Sequence, residues 1–433
     1  MKYLISFLSV FLFSFPAFAE DIESRMKNLE KTVESQEKAI AEQQRVIDGL
    51  KGTGAALSPD NKTGRSSGGL IGGSALSNPN ISLVLDTFFY SSNLTSSELE
   101  GWTIPGYINE GIEASKGYNL ESAELFIFAP VDPYFNVYAT MPVTEEGVEL
   151  EEAFFVTTAL PDGFQVKGGK FKSGFGRING QHPHAWDFAD SPLPYRAFVG
   201  AEGIIEKGVQ LTWLPPLPFY TTLGIEVLQG DNEILFGTDA RSGPHAYAAF
   251  AKFSFDATEN STILFGPSVA TGKTKTGSIA DDTEFAGDST LYGLEFTCKW
   301  NPSKDRGLIV QSEYLSRKQD GDLTDTVAST TERLERKQDG WYAQALYKTG
   351  RWRLGARYDA LDVFQDDYIL SGVDQEFDKS PWRATGAVEY NPTEFSRIRL
   401  QYNHDRSSRT DETNHEVFVQ LLFGIGAHAA HPF

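Results

Sequence analysis

Arginines recur at alternate positions near the C-terminal end of the chain: Arg351, Arg353 and Arg357 in one run, Arg383 in the next, Arg397 and Arg399 in a third. Two-residue spacing places the members of a run on one side of an extended strand. A guanidinium keeps its charge when confined and grips a carboxylate or phosphate through two parallel hydrogen bonds. A complementary set lies far upstream, between Phe171 and Gly203: Arg177, His182, His184, Asp187, Asp190, Arg196 and Glu202. Acids on that segment, set against a row of arginines, would create a transverse field that selects ions and orients dipolar solutes. The alternative is that the arginines pair with neighbouring acids such as Asp359 and Glu389 and only line a wall. His182 and His184, with Asp187 and Asp190 nearby, are a candidate transition-metal site. His428 and His431 are another of the same kind.

Catalytic chemistry finds no foothold. The chain contains no G-x-S-x-G, no H-E-x-x-H and no phosphate loop, and Gly174-Phe175-Gly176 opens no strand-to-helix dinucleotide unit. Asp281-Asp282 and Asp366-Asp367 fall in polar stretches that read as outer loops, where they would form a solvated rim. The expectation is no enzymatic activity and no cofactor. A formal charge of −21 argues against a nucleic-acid partner, which would need basic patches. The single cysteine, Cys298, excludes an intrachain disulfide and a multi-cysteine metal site.

The elements that would position the arginines are short alternating strands. Trp341, Ala343, Ala345 and Tyr347 share one face of a run whose other face is Tyr342, Gln344, Leu346 and Lys348. After Thr349-Gly350, Trp352, Leu354, Ala356 and Tyr358 stand opposite Arg351, Arg353, Gly355, Arg357 and Asp359. This is a hairpin with an apolar face capped by aromatics and a polar face. Bilayer interfaces place Trp and Tyr at such ends. Roughly sixteen such runs follow Ile81. The connections alternate in length. Ala129–Pro133, Leu160–Gly163, Pro215–Pro218, Asp256–Asn260, Asn301–Arg306, Thr349-Gly350 and Asn391–Glu394 are tight turns. Ser91–Gly117, Phe171–Gly203, Gly230–Pro244, Gly272–Thr290, Arg317–Gly340 and Ala360–Pro381 are long and polar. Short–long alternation is the topology of an antiparallel transmembrane barrel, whose alternate residues face a polar lumen. The expected fold is therefore an all-β barrel of about sixteen strands over residues 81–433. Across such a wall, the third long loop faces the strands that carry the arginines.

The N-terminal part reads differently. Lys2, the apolar run Leu4–Phe15 and Ala17-Phe18-Ala19 form a secretory signal over residues 1–19. Ile22, Met26, Leu29, Val33, Gln36, Ile40, Gln43, Ile47 and Leu50 follow a heptad over residues 20–51, which predicts an α-helical coiled-coil stalk. A lone amphipathic helix is the alternative. Residues 52–80, rich in Gly, Ser and Asn, read as a flexible linker. An even number of strands would return both barrel ends to the side of this stalk.

The order of signal, coiled coil, linker and barrel resembles the phosphate-selective-porin-like family of bacterial outer-membrane proteins. Gly168–Arg177 is similar to that family's strand entering the third loop. Gln181–Asp190, Glu389–Asn403 and Gly424–Phe433 resemble a sub-group often labelled zinc-regulated TonB-dependent receptors. The resemblance implies an outer-membrane pore, trimeric or monomeric, passing small solutes and anions, with the coiled coil in the periplasm. Phe433 resembles the aromatic end read by the barrel-assembly machinery. The family's phosphate site uses lumen arginines and loop lysines; here the arginines match by face alone. Size favours a porin over a receptor, since a plugged receptor needs about twenty-two strands. The reading is thus a passive porin in outer-membrane lipid. It would be constricted by the 171–203 loop, with Arg177, Asp187, Asp190, Arg196, Arg353, Arg357, Arg383, Arg397 and Arg399 setting selectivity. Gated uptake of a metal or metal complex through His182 and His184, and a structural tether to the cell wall, are the alternatives.

Overall fold

The computed structural model describes residues 79–107, 114–237, 243–280, 283–377 and 379–426. The signal peptide, the coiled coil, nearly all of the linker, Asp281-Asp282, His428, His431 and Phe433 lie outside the described residues.

The chain runs through β1 (Asn80–Ser92), the short helix α1 (Ser96–Glu100), β2 (Gly117–Asp132), β3 (Phe135–Val143), β4 (Glu152–Thr157), β5 (Phe164–Lys172), helix α2 (Leu193–Val199), β6 (Ile205–Trp213), β7 (Tyr220–Leu228) and β8 (Ala246–Thr258). It continues through β9 (Ser261–Ala280), β10 (Thr283–Ser303), β11 (Arg306–Asp325), β12 (Thr330–Thr349), β13 (Trp352–Leu370), β14 (Val373–Asp374), β15 (Trp382–Thr393), β16 (Ser396–Arg406) and β17 (Asn414–Gly426). Every pairing is antiparallel, and β1 pairs with both β2 and β17, so the sheet closes on itself. The two-residue β14 touches only the tip of β13, while β13 pairs directly with β15, which leaves a wall of sixteen strands. Closure removes the unpaired edges that a membrane would not tolerate.

Period-two patterning sorts each strand. In β12 and β13, Trp352, Leu354 and Tyr358 point outward and are exposed, whereas Tyr342, Leu346, Arg357 and Asp359 are buried inside. Outward Val209, Ile225, Leu294, Phe296, Leu400 and Phe423 extend the same apolar band around the barrel. Aromatics rim it. Tyr358 lies between Trp341 and Trp382, with ring centroids 6.2 and 5.9 Å away. Trp352 and Tyr390 pack as a tilted pair, centroids 4.8 Å apart, nearer the tight turns. Trp352 and Tyr358 are about 20 Å apart along the strand. Gly350 adopts φ +58° in the two-residue turn between β12 and β13, a conformation that glycine takes without steric cost.

Several connections expected to be long loops are instead strand. β9 to β13 run 19 to 21 residues each, so Gly272–Thr290 and Arg317–Gly340 are largely hairpin arms that continue the wall. Their sequences lack an apolar face because both sides are polar there. The arms are held by backbone pairing and cross-strand polar contacts instead: Arg333 to Asp320, Thr324 to Thr331 at 3.1 Å and Lys337 to Asp367 at 3.8 Å. Ala360–Pro381 begins likewise, as the end of β13.

Candidate pore constriction

Between β5 and β6 the chain turns inward and crosses the lumen. Asn179 clamps the neck of this loop: its side-chain amide donates to the Ser173 carbonyl at 2.9 Å and accepts from the Ile204 amide at 2.6 Å. Wall glutamates hold the entering strand. Glu226 on β7 accepts from the Ser173 hydroxyl and the Gly174 amide at 2.5 and 2.8 Å. Glu313 on β11 accepts from the amides of Arg177 and Ile178 at 2.7 and 3.1 Å, and from the Tyr195 and Tyr342 hydroxyls at 2.7 and 2.6 Å. The approach depends on Gly176 at φ +61°, since a Cβ there would meet the Tyr195 oxygen at 2.2 Å. Helix α2 then buries Phe198 and Val199 against Leu315, Tyr342 and Leu361 of the wall.

The loop's aspartates land on the arginines. Asp187 pairs with Arg353 and accepts from Gln344 at 3.2 Å. Asp190 accepts from Arg357 at 2.7 Å, Arg383 at 2.9 Å, Gln401 at 2.8 Å and Asn403 at 2.9 Å. Burial alone would raise the Asp190 carboxyl, but Arg383 and Arg357 hold it well below the usual carboxylate range. The arginines also have partners in the wall. Asp359 lies 3.2 Å from Arg357 and 2.9 Å from Arg383. Glu389 lies 3.1 Å from Arg353, 3.4 Å from Arg397 and 2.9 Å from Arg399. Arg397 and Arg399 also donate to the Trp186 carbonyl, at 3.4 and 2.8 Å. Arg383 and Arg399 are 0% and 1% exposed, so the loop excludes water from them. Loop acids thus face the arginines, and wall acids pair with them as well.

The other expected residues lie apart from that network or at its edge. Arg196, half-buried on α2, sits within electrostatic reach of Asp190, Arg383, Asp405 and Glu416. Arg177 stands away from the arginine wall, within electrostatic reach of Lys299 on β10. His182 and His184 are separated from Asp187 and Asp190. They stack on each other, centroids 5.7 Å apart, against glutamates of β2, the β3–β4 connection and the start of β4. His182 Nδ1 is 3.2 Å from Glu151 and 3.5 Å from Glu124, and its Nε2 is 3.0 Å from Glu152. Burial opposes its charge, yet Glu151 and Glu152 push the imidazole up to about 10.

No protein-family model matches the chain. It is 44% identical over 380 residues to an uncharacterized protein of Aquifex aeolicus (strain VF5), spanning 82% of this chain and 80% of that protein. The chain belongs to that protein's family. Among solved structures, a loop-deletion mutant of OmpT, an outer-membrane protein of Vibrio cholerae, matches 81% of this chain and 100% of its own, with TM-score 0.51 and 11% identity. An anion-selective porin from Comamonas acidovorans matches 81% of this chain and 100% of its own, with TM-score 0.50 and 10% identity. The outer-membrane channel DcaP of Acinetobacter baumannii covers 80% of this chain and 96% of its own, with TM-score 0.50 and 12% identity. At these identities the likeness is one of fold.

Two further charged residues inside the barrel were not singled out by motif or spacing. Arg317 on β11 and Arg336 on β12 are 0% and 1% exposed. They are held by neutral groups. Arg317 donates to Gln338 at 2.6 Å and lies over the Phe198 ring at 5.0 Å; Arg336 donates to Gln319 at 2.5 Å. Arg317 Nε and Arg336 Nη2 are buried without a hydrogen-bond partner, and neither side chain is ion-paired to a carboxylate among the described residues. The available signal was parity. Arg317 follows Glu313 by four residues and Arg336 precedes Tyr342 by six, so strands drawn to their full length put both inside.

Proposed function

We propose that the chain is a passive outer-membrane porin for small hydrophilic solutes that prefers anions and is narrowed by the loop from Ser173 to Ile204. The observation that carries the anion preference is the Arg317–Arg336 pair. The five arginines beneath the loop are each ion-paired to Asp187, Asp190, Asp359 or Glu389, and Asp405 and Glu416 lie within electrostatic reach of Arg383, so the group adds little net field. Arg317 and Arg336 make no ion pair with a carboxylate among the described residues, and their charge supports a positive potential on the long-loop side, which concentrates anions. The exposed apolar band with its aromatic rims suits a bilayer, and the barrel's likeness in fold to outer-membrane proteins supports that location. In this reading the coiled coil lies in the periplasm, the chains assemble as a homotrimer, and the C-terminal strand is handled by the barrel-assembly machinery. No enzymatic activity is part of it.

Planar-bilayer recording in a salt gradient tests the proposal. The expected reversal potential has the sign of an anion-preferring pore, and Arg317→Gln with Arg336→Gln moves it toward cation preference. A cation-preferring wild type, or a reversal potential unmoved by the double substitution, overturns the assignment.

A further inference from the structure

Where the loop crosses β2 and the β3–β4 connection, three carboxylates converge on two imidazoles and one ammonium. Glu124, Glu151 and His182 each offer one atom, and these atoms lie within 4.8 Å of one another. An ion held at zinc-type bond lengths with tetrahedral angles needs donors about 3.4 Å apart. His182 Nδ1 is 3.2 Å from Glu151 Oε2 and 3.5 Å from Glu124 Oε2. The surroundings are those of an oriented ligand set. His182 Nε2 faces Glu152 Oε2 at 3.0 Å, the carboxylate–imidazole contact that fixes a metal-binding histidine. Lys172 holds the far oxygen of Glu151 at 2.9 Å, which turns Oε2 toward the imidazole. His184 Nδ1 touches Glu124 Oε2 at 3.1 Å and flanks the site. Pro183 starts the 3₁₀ turn between the two histidines and holds their rings nearly parallel, at 15°.

From this geometry we infer that Glu124, Glu151 and His182 bind a divalent first-row transition-metal ion, with Glu152 orienting His182 and His184 flanking the open position. Mixed imidazole and carboxylate donors suit zinc, cobalt or nickel better than calcium or magnesium, which take oxygen ligands. Charge agrees: Lys172 balances one of the three glutamates, and a divalent ion that displaces the proton His182 shares with Glu151 balances the other two. The donors come from two separate parts of the wall and from the loop, so the ion would staple the loop to the barrel. This site stands independently of the pore's ion preference.

The test uses the full-length, untagged protein in detergent, with Co²⁺ as a spectroscopic probe and Zn²⁺ as competitor. The expected result is one Co²⁺ per chain with the visible absorption of a four- or five-coordinate ion, bleached by Zn²⁺. Glu151→Gln, nearly isosteric, should weaken Co²⁺ binding by at least tenfold, and His182→Asn should do the same. His404→Gln, on β16 away from the cluster, should leave it unchanged. Heat-modifiability on gels confirms that each variant is folded. Absence of Co²⁺ binding, equal binding to the wild type and to folded Glu151→Gln, or an octahedral spectrum with oxygen ligands alone overturns the assignment. Bilayer selectivity need not change in any of these outcomes, so failure here is distinguishable from failure of the porin reading.

Discussion

Two groups of arginines stand inside the same barrel in opposite electrostatic conditions. Arg353, Arg357, Arg383, Arg397 and Arg399, on β13, β15 and β16, meet Asp187 and Asp190 of the loop and Asp359 and Glu389 of the wall. Arg317 and Arg336, on β11 and β12, are as deeply buried yet rest on glutamines, aromatic rings and backbone carbonyls. Burying a charge is costly unless it is paired. The first group therefore acts mechanically, docking the loop across the lumen. The second makes no ion pair with a carboxylate among the described residues, and the proposed anion preference rests on that difference. Arginine content alone does not distinguish the two; the acids brought opposite by the loop do.

Removing the loop's main anchor should break the first group with the largest effect. Asp190→Ala leaves Arg357 and Arg383 short of a partner, and breaking a buried pair in this way costs about 3 kcal/mol. Urea titration of the barrel refolded in lipid should show that loss, and single-channel conductance should rise as the loop loosens. Unchanged conductance would mean that the loop is held elsewhere, by Glu226 and Glu313.

Gly176→Ala probes that other anchor. A residue forced to φ +61° against the Tyr195 hydroxyl should cost about 1–2 kcal/mol, read in the same titration. The second arginine group should behave in the opposite sense. Arg317→Gln with Arg336→Gln removes two buried charges that make no ion pair among the described residues, so stability should hold or rise by about 1 kcal/mol. A loss as large as that of Asp190→Ala would show that the two groups are equivalent after all.

Acid gives the smallest and most graded effect. The folded Asp190 carboxyl sits below its ordinary 3.8, so its contribution is complete above that value and is lost as pH falls through and below it. Asp190 faces Arg357, Arg383, Arg196, Gln401 and Asn403, with Asp405 and Glu416 close by. Loop docking should therefore weaken progressively below about pH 4, seen as rising conductance that Asp190→Asn abolishes. A conductance that stays flat as pH falls from 6 to well below the ordinary carboxylate value of 3.8 would remove Asp190 from the latch.

Much of this arrangement was legible in the order of residues. A period of two, tight turns such as Thr349-Gly350, and aromatics at the ends of apolar faces determined a closed antiparallel sheet of about sixteen strands. They also sorted Trp352, Leu354 and Tyr358 outward and Arg353 and Arg357 inward. Local sterics and hydration suffice for that, because each strand has to present one face to an apolar surround. The lengths of β9 to β13 were hidden, since their outer portions carry polar residues on both faces and pairing alone keeps them extended.

The charge partners were decided only by the tertiary structure. Asp187 and Asp190, close in sequence to His182 and His184, left them for arginines more than 150 positions away. The histidines met glutamates of other strands instead. Pairing of buried charges depends on distances of 3 to 4 Å across the closed lumen, and no local pattern encodes them. A chain of the same strand periodicity could have set other partners on those arginines. The fold follows from repetition along the chain; the site follows from where the loop comes to rest.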